Sequence, residues 1–473
     1  MTAERTTNGH STIALREIGR WTGGGTPSKS NAKFWINGTI PWVSPKDMKV
    51  LRLKETEDHI TDDAVANSAT NIVRKGSVLI VVRSGILRHS LPVAVADRDV
   101  ALNQDLKAVE LTEAFDPDYV AWALRAAARD ILHTCAKAGT TVQNLEIPRF
   151  LNYRIRSAPL EEQQRIVAEI EKQFTRLDAG LASLKRIQTA LKRYHASVLK
   201  AACDGRLAPT EAELARKENR RYETADKPVG VGSLSIESKS NRRRAGRLWG
   251  AGHVPDLTDE ERAGLPVGWT WAKVRDLGTD SDNAVQVGPM SMQSKDFTED
   301  GVPVLNVGCV RWGYFDESKL NHLPKNIASK FDRYRVRAGD VLFTRSGTVG
   351  RCAVAQPHQE GWLMTFHLLR ARPDPSKCLP QFLRVVFEGA LHIRRQTKAA
   401  SVGSTRAGFN TRLLADLAVP LPPLVEQHRI IAEVERRSSL ITELQAAVGA
   451  STQHASALRR SILCRVFADP TNI

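Results

Sequence analysis

Apolar residues fall along this chain in three rhythms, and each predicts a different element. Short runs rich in β-branched and aromatic side chains, IPWVS (40–44), SVLIVV (77–82), VLFT (341–344) and TFHLLRARP (365–373), are bounded by Gly, Pro and Asn and read as strands. DPDYVAWALRAAARDILH (116–133) and LPQFLRVVFEGALHIRRQ (379–396) read as one helix in each half of the chain. The third rhythm is longer. Val167, Ile170, Phe174, Leu177, Leu181, Leu184, Leu191 and Val198 recur at spacings of three, four or seven, with Gln188 and His195 interrupting the seam. Ile431, Val434, Ile441 and Val448, followed by Leu458 and Ile462, repeat it more thinly. Heptad spacing held over roughly 40 residues, about 60 Å of helix, predicts two long helices that pair as an antiparallel coiled coil.

These rhythms occur twice. PLEEQQRIVAEIE from Pro159 and PLVEQHRIIAEVE from Pro423 share nine of thirteen residues at an offset of 264, and two more positions exchange Val and Ile. KGSVLIVVRSG (75–85) parallels AGDVLFTRSG (338–347), AGTT (138–141) parallels VGST (402–405), and ALREIG (14–19) parallels VRDLG (274–278). The chain is a tandem repeat. Its predicted class is α+β: a mixed unit over 1–158, a helix over 159–207, a charged linker over 208–264, a second unit over 265–422 and a second helix over 423–468. Prolines 159 and 423 stand where a helix tolerates them, and Glu161, Glu162 and Glu426 complement the positive end of its dipole. The linker is poor in large apolar side chains and contains Arg242, Arg243 and Arg244, so part of it is expected to lack fixed structure.

Composition narrows the function. The 473 residues carry 68 Lys and Arg against 52 Asp and Glu, a net charge of +16 that suits a polyanionic partner. No apolar run approaches the ~20 residues of a membrane span. MTAERTTNGH lacks the basic-then-apolar order of a secretion signal, so a cytoplasmic protein is expected. The six cysteines, 135, 203, 309, 352, 378 and 464, form no C-x-x-C pair, which argues against a zinc site and a disulfide framework.

The stretch GGGTPSKS (23–30) resembles a phosphate-binding loop, with Gly23, Lys29 and Ser30 in register. Serine at 28 replaces the second glycine, and Gly38 and Pro41 break any helix that would follow. The stretch is better read as a turn presenting Lys29, Ser30 and Lys33 from a sheet edge. H-E-x-x-H, G-x-S-x-G, G-x-G-x-x-G and N/D-P-P-Y patterns are all missing. The chain therefore carries no recognisable catalytic constellation and no metal site.

Unit, helix, unit, helix is an order that resembles the specificity subunit of type I restriction–modification systems. GGGTPSKSNAKFWINGTIPWVSPKDM (23–48) looks like the opening of a target recognition domain of that family, and LPVGWTWAKVRDLG (265–278) like the start of a second. PLEEQQRIVAEIE and PLPPLVEQHRIIAEVE are similar to its repeated helices, and GSTRAGFN (403–410) to a loop near its end. The resemblance implies two recognition domains, each reading one half of a split double-stranded DNA target. It also implies a coiled coil that fixes the gap and carries two methyltransferase subunits, joined by translocating restriction subunits. S-adenosylmethionine, ATP and magnesium would belong to those partners, and no cofactor to this chain. The second half departs from the pattern: NAVQVGPMSMQSKDF (283–297) stands where the first has its glycine turn.

On this reading the DNA-facing residues are Lys29, Ser30, Lys33, Arg83, Ser84, Arg88, Thr140, Thr141 and Gln143 in the first unit. In the second they are Arg345, Ser346, Thr348, Arg351, Ser404, Thr405 and Arg406. Arg reads guanine with two hydrogen bonds, Gln reads adenine, and Ser, Thr and Lys mostly position phosphates. Two other functions stay open at this point: a self-contained methyltransferase or nuclease with diverged motifs, and a coiled-coil adaptor that binds only proteins.

Overall fold

The structure is a computed structural model, and it describes residues 4–5, 11–137, 143–222, 224–225, 256–279, 284–401 and 409–467. Two helices of 44 residues dominate it, Leu160–Cys203 and Leu424–Phe467, offset by 264 at both ends. The chain divides into two compact units, Met1–Arg186 with Val448–Ile473, and Ile187–Ala447. Both divisions fall inside a long helix.

In the first unit a five-stranded sheet is ordered Gly19–Gly23, Leu106–Leu111, Val78–Val81, Val93–Ala96, Arg52–Leu53. A second sheet, Asp58–Ile60, Ile40–Val43, Val100–Leu102, Ile72–Val73, contains a parallel pair with Trp42 opposite Ala101. The strand from SVLIVV is buried at all four residues, as its uninterrupted apolar run requires. Helix Pro117–Ala126 starts on Asp116, whose carboxylate accepts from Tyr119 N at 3.0 Å, with proline at the first turn.

The second unit repeats the plan. Its sheets are Val285–Val287, Leu368–Ala371, Val341–Thr344, Cys352–Val354 and Asn321–Leu323, Val302–Leu305, Leu363–Met364, with a parallel pair in which Val304 faces Leu363. Helix Pro380–Gly389 matches Pro117–Ala126. Small antiparallel pairs, Ser11–Ala14 with Arg154–Ser157 and Thr270–Lys273 with Ala418–Leu421, lead into the two long helices.

Each unit's core takes in the start of one long helix and the end of the other. Val167, Ile170 and Phe174 are buried in the first core, with Leu177, Ile462, Leu463, Val466 and Phe467 packed against it. There Arg459 pairs with Asp178 at 3.0 Å and lies 4.4 Å from the Phe174 ring centre, Arg156 donates to Val466 O at 2.9 Å, and Tyr119 meets Phe467. The second core holds Val198, Leu199, Ala202 and Cys203 together with Ile430 and Val434. A side chain at Gly389 would stand 2.4 Å from Leu199 O, so Pro380–Gly389 meets the helix end backbone to backbone.

Of the remaining seam positions, Leu181, Leu184 and Leu191 are half-buried, and Ile441 and Val448 are buried. At the start of the second helix the buried apolar residue is Ile430, beside the expected Ile431, which is half-buried against the same core. The segment expected to be a linker is ordered over its first part. Helix Glu211–Lys217, with a capping box on Thr210, docks at the start of the second long helix. Glu211 N donates to the Glu426 carboxylate at 2.9 Å, Trp269 Nε1 donates to its other oxygen at 2.8 Å, and Arg429 and Arg220 hold the Glu211 carboxylate. Burial pushes the Glu426 carboxyl above the usual range. Burial would also raise Glu211, but its two arginines prevail and lower it. The Arg242–Arg244 cluster lies outside the described residues.

Candidate nucleic-acid interface

The glycine turn owes its composition to backbone contact. A Cβ at Gly24 would stand 2.2 Å from Asn103 O, and one at Gly25 would stand 2.4 Å from the Ala69 carbonyl carbon. Trp42 Nε1 donates to Gly25 O at 3.1 Å, and Trp35 Nε1 to Ser28 O at 3.0 Å. The turn runs into a single 3-10 turn, Ala32–Phe34, and no long helix opens at its end. Lys29, Ser30 and Lys33 are exposed on it.

The second unit solves the same packing problem with different residues. A Cβ at Gly288 would stand 2.1 Å from Thr365 O, as at Gly24, 264 positions earlier. The absent glycine turn is thus a difference in the exposed tip, while the close approach beneath it is kept.

Both glycines press on a short loop segment between two buried strands: Asn103–Asp105 in the first unit and Thr365–His367 in the second. Each segment also holds the arginine turn. Arg83 N donates to Asp105 O at 3.2 Å, and Arg345 N to His367 O at 2.9 Å; donor and acceptor are both shifted by 262 residues. Around the arginines the side chains differ. Arg83 Nε pairs with Asp105 Oδ1 at 2.5 Å. Arg345 instead lies over the Phe366 ring, 4.3 Å from its centre, and partial burial lowers its pKa. Ser346 Oγ lies 3.4 Å from His367 Nδ1.

Gln143 joins the first turn, its carbonyl accepting from Ser84 N at 3.0 Å, while Leu145 N donates to Val82 O at 2.8 Å. Ser84 caps the 3-10 turn Gly85–Arg88, which ends in exposed Arg88. Thr26 Oγ1 donates to Gln104 Oε1, so the glycine turn, the polar segment and the arginine turn are contiguous. In the second unit Thr348 is exposed, and Arg351 turns inward, donating from N to Thr344 Oγ1 at 3.1 Å and from Nη1 to Val310 O at 3.3 Å. The turn leading from Arg345 to Arg351 needs glycine: Gly347 and Gly350 have φ of +72° and +80°. Thr140, Thr141, Ser404, Thr405 and Arg406 lie outside the described residues.

Sequence reasoning missed the segments 103–105 and 365–367. TFHLLRARP reads as one strand, but the strand begins at Leu368 and Thr365–His367 precede it as a loop. The available signal was the polar break NQD inside VALNQDLKAV. Among the described residues no group of three or more His, Cys, Asp or Glu could hold a metal ion, and no helix is long and apolar enough to cross a membrane.

Residues 9–193 and 266–448 match the family described as the type I restriction modification DNA specificity domain. This chain belongs to that family. The specificity-domain matches cover both mixed units and run into both long helices. The specificity subunit of the type I restriction enzyme EcoR124I/EcoR124II of Escherichia coli is 40% identical over 181 residues, 38% of this chain and 45% of that protein. The EcoBI specificity subunit of Escherichia coli is 23% identical over 330 residues, 70% of this chain and 61% of its own length. The chain thus spans about half to three fifths of these relatives. A chain from a solved type I R-M system aligns over 96% of both chains with a TM-score of 0.65 at 17% identity, a likeness of fold.

Proposed function

We propose that this specificity-domain protein is the DNA-reading subunit of a type I restriction–modification complex, without catalytic activity of its own. The units near 1–158 and 265–422 act as target recognition domains for the two halves of an asymmetric, split site. The helices 159–207 and 423–468 pair antiparallel as a coiled coil in a pseudo-twofold arrangement, and 208–264 connects the halves. The coil sets the gap and carries two methyltransferase subunits, to which restriction subunits attach. S-adenosylmethionine, ATP and magnesium work on those partners, in the cytoplasm.

One observation carries this reading: the arginine turn is built twice on the same backbone frame, with different side chains beneath each arginine. Two unlike readers on one chain suit a target with two unlike halves, whereas identical readers related by symmetry would suit a palindrome. The net charge of +16 suits a phosphate backbone. Exposed Lys29, Ser30 and Lys33 with Arg83, Ser84, Arg88 and Gln143 make up one reading surface. Arg345, Ser346 and Thr348 are exposed or half-exposed in the other, with Arg351 as a support. Thr140, Thr141, Ser404, Thr405 and Arg406 complete the proposed set.

The test is co-expression with its methyltransferase subunit, followed by mapping of methylated adenines in host DNA. Methylation confined to a split, asymmetric sequence is expected. Methylation without a sequence preference, or none from a stable complex, would sink the proposal. Binding to duplex DNA should also weaken steeply with salt, as phosphate neutralisation requires.

A further inference from the structure

The duplicated arginines Arg83 and Arg345 share a backbone frame but not an electrostatic setting. Arg83 is tied through Nε to a carboxylate. Among the described residues no hydrogen bond or ion pair holds the Arg345 guanidinium; what fixes it is the face of Phe366. An arginine lying over a ring keeps its planar fork oriented and its N–H donors available. That is the state a bidentate contact to guanine O6 and N7 needs, because little side-chain freedom is left to lose on binding.

We propose that Arg345 reads a guanine in the half-site bound by the second unit, and that Phe366 is the positioning residue that aims it. The proposal rests on the DNA-recognition function above and adds the base and the device. Phe366 occupies the place of Gln104, and His367 that of Asp105. The loop segment under each arginine is therefore where the duplication set the two readers apart. Asp105 makes Arg83 a reader of different character, its Nε already engaged and a carboxylate acceptor beside the fork.

The experiment uses the full chain assembled with its methyltransferase subunits and a randomised duplex DNA library, with bound duplexes sequenced. For the parent complex a split sequence is expected, with guanine at a fixed place in one half. Arg345→Lys keeps the charge but loses the fork. It should reduce the preference for that guanine roughly 5- to 150-fold and leave the other half-site unchanged. Phe366→Leu, which keeps apolar bulk without a ring face, should relax the same position, and Phe366→Tyr should restore it. The unaltered half-site reports that each variant is folded and assembled.

An unchanged guanine preference in Arg345→Lys overturns the assignment of Arg345. Phe366→Leu behaving as the parent, or Phe366→Tyr failing to restore selection, overturns the positioning role. Relaxation of both halves together overturns the inference as well. A parent complex that selects no split sequence removes the recognition function itself, a result distinct from all of these.

Discussion

Gln163 and Gln427, 264 positions apart, make the same three hydrogen bonds in their own units. Gln163 accepts from Asp116 N at 2.9 Å and donates to Ala114 O and Ala158 O at 2.9 and 2.7 Å. Gln427 accepts from Leu379 N at 2.8 Å and donates to Lys377 O and Pro422 O, each at 3.0 Å. Both side chains are fully buried. Each locks the first turn of a long helix to the segment leading into the short helix beside it. Gln163→Leu and Gln427→Leu should each orphan three backbone groups, at roughly 1–3 kcal/mol per buried group. Limited proteolysis should show each variant loosening its own unit and sparing the other; equal protection in both variants would contradict this role.

The glycine turn makes a second prediction. Gly24→Ala and Gly288→Ala should destabilise their units by about 1–3 kcal/mol or more, because the new methyl meets backbone that cannot move aside. Lys29→Ala should leave stability unchanged, since that side chain is exposed. Denaturant unfolding measures all three. Calorimetric titration with ATP should give no binding in the parent or in Lys29→Ala.

Asp340 anchors the start of the strand Val341–Thr344 that leads to the second arginine turn. It accepts from Arg337 N at 2.8 Å and from Arg372 Nε and Nη2 at 2.6 and 2.7 Å, and its side chain is wholly buried with Arg370 beside it. The first unit has Ser77 at the corresponding place, so the network belongs to one half alone. Asp340→Ala leaves the buried Arg370 and the half-buried Arg372 without their counter-ion and should cost about 3–5 kcal/mol in the second unit. Ser77→Ala should cost far less. A thermal melt in which the two behave alike would remove this account.

Alkaline pH should open the first unit in a defined window. Burial pushes the Tyr119 phenol up to about 12, and its hydroxyl donates to Arg156 O at 3.1 Å. The folded state therefore favours the neutral phenol more than the unfolded chain does, whose tyrosines ionise near 10. The resulting stabilisation is complete below pH ~10 and lost as pH rises toward about 12. A tyrosinate absorbance titration should show Tyr119 and Tyr153, which burial also raises, ionising above the ordinary tyrosine value near 10. Tyr119→Phe should shift the alkaline unfolding midpoint upward.

Local pattern determined much of this protein. A heptad seam needs only side-chain spacing, so both long helices were legible, as were their prolines and the duplication that gives them equal length. The buried strands announced themselves as apolar runs, and the arginine turns as polar breaks after them. Side-chain spacing could not show which stretches of each long helix enter a globular core. Adjacent apolar pairs, Ile166–Val167 and Ile430–Ile431, offer two neighbouring stripes, and the packed core chose Val167 in one unit but Ile430 in the other. Nor could it show that Cys203 and Val198 complete the core of the second unit, or that the Glu426 carboxylate accepts from Glu211 N, 215 residues away in sequence. Those choices depend on which distant backbone arrives at a site. The segments beneath the two arginines belong to the same class: Asp105 and Phe366 gain their meaning only when sheet pairing sets them beside Arg83 and Arg345.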